Sequence, residues 1–119
     1  MSDEMLTVTF PVRAADLWNA VFLEDFAHYP YWTRINVKPV LWQGPGHSAT
    51  AWGLMPSGEV VKAKNITVES LVAALSELVA QRRTDIDIFN VRLWTDYEAD
   101  LLLQKTVFGE VIYNIRKSY

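Results

Sequence analysis

Apolar and polar residues alternate at the start of the chain: Leu6, Val8, Phe10 and Val12 are separated by Thr7, Thr9 and Pro11. A period of two is that of a half-buried strand, and Pro11 marks its end or an edge position. From Ala14 to Phe26 the spacing changes. Leu17, Val21 and Phe22 fall on one helical face, Trp18 and Phe26 extend it, and Pro30 stops the helix. Residues 35–42 (INVKPVLW) and 48–54 (SATAWGL) read as strands joined by the turn-rich QGPGH at 43–47. A second turn, Pro56-Ser57-Gly58, leads into EVVKAKN, which predicts a strand partner for the preceding segment and a meander in mid-chain.

The second half has helical spacing. Thr67 is a good N-cap, with Ile66 and Leu71 at the two staple positions around it. Leu71, Leu75, Leu78 and Val79 form one apolar stripe, and this helix is expected to end near Arg82-Arg83. Thr95-Asp96-Tyr97-Glu98 has capping-box spacing, which predicts a last helix over 96–108 with Gly109 as its terminating glycine. VIYNI at 111–115 reads as a short closing strand. TDIDIFNVRLW at 84–94 fits a strand by alternation and a helical turn by length, and the pattern leaves both open. The expectation is one α+β domain over 1–119: a small antiparallel sheet packed against about three helices.

At 119 residues, half of them apolar, the chain can bury a real core. No apolar run is long enough for a transmembrane helix, and MSDEMLTVTF is acidic where a secretory signal is basic. There are no cysteines, which removes disulfides, thiolate metal sites and cysteine nucleophiles and agrees with a reducing cytoplasm. The net charge of −3 is unevenly spread: −4 over residues 1–27, +3 over 28–66 and −2 over 67–119. A general nucleic-acid binder carries a dominant basic footprint, so the case for DNA or RNA is weak. A basic middle in an acidic chain suits a small anionic ligand, or simply solvated lysines on strand faces.

Catalytic and metal motifs are missing. His28 and His47 are nineteen residues apart with no acidic partner at ligand spacing, and the phosphoesterase, nucleophile-elbow, P-loop and dinucleotide patterns do not occur. Asp96, Asp100 and Gln104 recur at four-residue spacing on the last helix. Neighbours on one helix face do not form a carboxylate pair across a cleft. They read instead as a solvated face or as hydrogen-bonding anchors of an interface, and no enzyme or cofactor is expected.

Half of the ten Trp and Tyr residues lie between 29 and 52: Tyr29, Tyr31, Trp32, Trp42 and Trp52. Arg34, Lys38, Lys62 and Lys64 come from the same segments. Flat rings stack on bases and cations neutralise phosphate, so Tyr31, Trp32, Arg34, Trp52, Lys62 and Lys64 are the candidate ligand-binding set. The same rings also serve as core residues or as anchors of a protein interface.

EADLLLQKTVFGEVIYN at 98–114 resembles the closing segment of a family of small, mostly uncharacterised proteins encoded by tailed bacteriophages. The matching positions are Ala99, Asp100, Gln104, Phe108, Gly109, Glu110 and Tyr113, and Tyr31-Trp32 resembles that family's Tyr-Trp pair. Pro30 and Asn114 depart from its pattern. The resemblance implies a phage origin without a defined activity. Three readings follow. One is a binding protein, expected as a homo-oligomer, that holds a nucleotide-like anion. Another is a protein–protein inhibitor of a bacterial defence complex, similar to an anti-CRISPR. The third is a virion or assembly accessory.

Overall fold

The computed structural model describes residues 13–23, 29–81, 86 and 90–113. The strand read at 6–12 and His28 lie outside this set, as do Arg82, Arg83 and most of 84–89. Helix α1 (Ala14–Phe22) is followed by strands β1 (Trp32–Val37), β2 (Ala49–Leu54) and β3 (Val60–Ile66). Helix α2 (Val68–Ala80), a 3₁₀ turn at Val91–Leu93 and helix α3 (Asp96–Phe108) complete the order. The α+β class is as the sequence predicts.

The strands form an antiparallel meander in the order β1-β2-β3. On β2, Ala49, Ala51 and Gly53 turn inward while Thr50, Trp52 and Leu54 turn outward, the alternation a half-covered sheet requires. β1 begins three residues earlier than the pattern suggested and stops at Val37. Pro39 has no N–H to give a ladder, and the chain beyond it is tied to α1 instead. The Trp18 indole donates to the Val40 carbonyl at 3.0 Å, and the Trp42 N–H donates to Asn19 Oδ1 at 3.1 Å.

The helices cover the inner face. Thr67 caps α2 and exchanges hydrogen bonds with Ser70, and the buried stripe is Val68, Leu71, Ala74, Leu75 and Leu78. Val79, assigned to that stripe by spacing, sits at its rim and is exposed. Thr95 and Glu98 form the capping box of α3, and Gly109 ends the helix in the left-handed region at φ +81°. Leu101, Leu102 and Leu103 are three consecutive residues, all fully buried. Consecutive helical positions point about 100° apart. Burying all three therefore requires α3 to be surrounded, and it packs on α2, α1, β2 and β3. Among the described residues no helix is long and apolar enough to cross a membrane.

At Gly53 the end of α3 comes close against the sheet. A Cβ there would lie 2.7 Å from one Phe108 ring carbon, closer still to the next, and 3.0 Å from the Trp32 ring. The ring stack of Trp32 and Phe108, with centroids 5.4 Å apart, occupies the space a side chain would need. Gly53→Ala is expected to lower stability by about 1–3 kcal/mol, as overpacking of a filled core does. An unchanged denaturant midpoint would show that Phe108 moves aside freely.

Candidate functional site

The candidate residues divide between two faces of the sheet, and a bulge in β1 divides them. Trp32 pairs with Gly53 and Arg34 pairs with Trp52, so two steps on β1 match one step on β2. In a regular strand residues 32 and 34 share a face; the extra residue, Thr33, puts them on opposite faces. Trp32 turns into the core, and Arg34 turns out to solvent.

On the inner face, Tyr31 and Trp32 are 4% and 9% exposed, while Asp100 and Gln104 are fully buried. The Asp100 carboxylate accepts from Tyr31 Oη at 2.6 Å, from Trp32 Nε1 at 2.6 Å and from Gln104 Nε2 at 2.8 Å. No cation among the described residues pairs with it. Burial raises the Asp100 pKa, and the three donors pull it partly back. Burial, then the bond to Asp100, raises the Tyr31 phenol far above its ordinary range, so its hydroxyl stays protonated and donates.

Gln104 fixes the chain that leaves α3. Its Oε1 accepts the N–H groups of Ile112 and Tyr113 at 2.9 and 2.7 Å, and its Nε2 donates to the Tyr113 carbonyl at 2.6 Å. A side-chain amide thus does what a neighbouring strand would do. Residues 111–113 accordingly form no strand, contrary to the expectation for VIYNI, whose Asn114 and Ile115 lie outside the described residues. Tyr113 then stacks on Tyr31 with centroids 4.0 Å apart and planes 4° from parallel, and its hydroxyl donates to the Leu54 carbonyl at 2.5 Å.

These contacts correct the reading of Asp96, Asp100 and Gln104 as one solvated or interfacial face. Only Asp96 is partly exposed, with the Tyr29 hydroxyl 3.5 Å from its carboxylate. Asp100 and Gln104 point at the sheet, and every polar group they carry is used inside the protein. A signal lies in the sequence: three successive leucines at 101–103 point to a stretch of helix enclosed on several sides, which buries the polar residues beside them. Gly53 and Leu54 also belong to this cluster and carry no residue-type signal, while Tyr113 is marked only by its place in the C-terminal pattern. What the cluster does chemically is hold β1, β2 and residues 111–113 against α3.

Arg34, Trp52 and Lys62 stand together on the outer face. They occupy one rung across the three strands, Arg34 opposite Trp52 and Trp52 opposite Lys62. The Arg34 guanidinium lies 5.0 Å and the Lys62 ammonium 5.1 Å from the Trp52 ring centroid. Lys64 is exposed two residues further along β3, and Ala63 between them turns inward. No acidic residue among the described ones pairs with these cations. The six-residue ligand set therefore does not converge: Tyr31 and Trp32 are interior, while Arg34, Trp52, Lys62 and Lys64 form an open, positively charged surface. A separate recess of about 240 Å³ lies between α1 and the 3₁₀ turn, lined by Leu23, Val91 and Trp94 among others and edged by the exposed Asp16–Arg92 ion pair. It holds none of the candidate residues. His47 lies elsewhere, its ring 4.7 Å from that of Trp18, and among the described residues no group of acids and histidines is arranged to hold a metal ion.

No protein-family model, curated protein or solved structure matches the chain.

Asp100→Asn keeps the size of the side chain but offers one acceptor oxygen in place of two. Gln104 cannot turn to compensate, because three backbone groups fix its amide. One donor is left facing a donor, and a loss of about 1–3 kcal/mol is expected from chemical denaturation. The pH dependence has a definite sign. With the folded-state pKa above its ordinary 3.8, the folded protein retains a proton that the unfolded chain has lost. Stability from this group is full below that value and is lost as pH rises through the folded pKa. The gap between wild type and Asp100→Asn should therefore narrow as pH rises. A gap that widens with pH would contradict the assignment.

Proposed function

We propose that this protein is a non-enzymatic binding protein whose outer sheet face holds a nucleotide-like anionic molecule. The observation that carries the reading is Trp52, a ring on an open sheet face with two unpaired cations of the same rung directed at it. Each exposed cation–ring contact is worth about 0.5–1 kcal/mol. A stacked base contributes about 1–3 kcal/mol. Exchanging one for the other is favourable, and the displaced cation is then beside the ligand, free to meet its phosphate. The contacts made in the free protein thus hold the cations close to where a ligand's charge would sit.

The C-terminal resemblance supports a phage origin, and with it a role in countering host defence by sequestering a nucleotide signal. Most of the residues that carry the resemblance, Asp100, Gln104, Phe108, Gly109 and Tyr113, have folding roles here. The binding proposal accordingly rests on Trp52 and its neighbours and not on the motif.

The test is a thermal-shift panel of mono-, di- and cyclic nucleotides on wild type and Trp52→Ala. A ligand at a hundred times its Kd adds about 2.7 kcal/mol, or roughly 4–8 °C for a domain of this size. Wild type should shift with at least one compound class, and Trp52→Ala should keep its own melting temperature near wild type while losing the shift. A flat wild-type panel, or an equal shift in Trp52→Ala, overturns the proposal.

A further inference from the structure

The outer face carries more positive charge than one phosphate group uses. Arg34 and Lys62 flank the single ring, and Lys64 stands next along the same strand, exposed. Two residues of strand rise put Lys62 and Lys64 about 6.6 Å apart along β3. Neighbouring strands are about 4.8 Å apart, so Arg34 and Lys62 start about 10 Å from each other across the rung. Long side chains cover that range, so Arg34 and Lys62 flank Trp52 along its rung and Lys64 adds a third exposed cation to one side.

One ring flanked by two cations, with a third cation next along the strand, suits a compact ligand with one stacked base and more than one phosphate. A base on Trp52 displaces one of the two ring-bound cations and leaves the other two sites of charge in place. One phosphate satisfies the displaced cation, and a second is needed to use the rest. A long strand is disfavoured by the charge of the chain as a whole, which is −3, where a general nucleic-acid binder carries a dominant basic footprint.

We infer that the Arg34–Trp52–Lys62–Lys64 face selects a nucleotide of dinucleotide size carrying at least two phosphate groups, over both mononucleotides and long single strands. The inference rests on the proposed function above and narrows its ligand class.

The experiment titrates the full chain with AMP, with the linear dinucleotide pApA and with a twenty-residue oligoadenylate, following tryptophan fluorescence at low and physiological salt. Adenine is an adequate probe because every base offers a stacking face. The expected result is pApA binding at least about tenfold tighter than AMP, equivalent to about 1.4 kcal/mol, with the oligoadenylate no tighter per site than pApA. The salt dependence for pApA should be steeper than for AMP, since more counterions are released. Equal affinity for AMP and pApA would overturn the selection for a second phosphate while leaving the binding proposal standing. An oligoadenylate much tighter than pApA would overturn the compact-ligand inference in favour of a strand. No binding of any probe would overturn the binding proposal itself, and this inference with it.

Discussion

A carboxylate that pairs with no cation among the described residues sits at the centre of this fold. Asp100 is fully buried and is stabilised by three hydrogen bonds, from a phenol, an indole and an amide. A buried charge of this kind is tolerable only when all its donors are in place, so the elements supplying them must be positioned together. Tyr31 and Trp32 bring the start of β1 to α3. Gln104, one turn further along α3, carries the bond on to Ile112 and Tyr113. Tyr113 closes the circuit on Tyr31 and on the Leu54 carbonyl at the end of β2. Sheet, central helix and chain exit are thus fixed by one connected set of hydrogen bonds and stacked rings.

The same arrangement explains why the outer face is left open. Because Trp32 must reach Asp100, β1 bulges at Thr33, and the bulge turns Arg34 outward to meet Trp52. A regular strand would have placed Trp32 and Arg34 on one face. The interior requirement and the exposed rung are therefore two consequences of one irregularity. Gly53, opposite Trp32, completes the device: without a side chain it admits Phe108, and Trp52 beside it points the other way.

Much of the fold was legible in the chain. The meander, the capped helices at Thr67 and Thr95 and the left-handed Gly109 follow from period, cap chemistry and turn residues, all local signals. The division of the aromatic cluster was not, because it depends on a bulge that no local pattern announces. Asp100 and Gln104 depart from their local pattern for a related reason. Four-residue spacing of polar groups suggests a wet face, and only the neighbouring run of leucines points to a helix enclosed on several sides. VIYNI favours a strand by its residue types, yet at Ile112 and Tyr113 the backbone partner is a glutamine side chain. Arg34, Trp52 and Lys62 share one rung of the outer face, with Lys64 further along β3. Tyr31 and Trp32 are their neighbours in sequence only, and a reversal of strand faces makes that a poor guide.

The central claim is that Trp32 serves the interior and Trp52 the surface. It is tested most directly by the indole N–H signals in a ¹H–¹⁵N spectrum, followed during hydrogen exchange and then during nucleotide titration. The account predicts a Trp32 signal that exchanges slowly and stays fixed on titration, with a Trp52 signal that exchanges quickly and moves. A Trp32 indole that exchanges freely or follows the ligand, beside an unmoved Trp52, would contradict it.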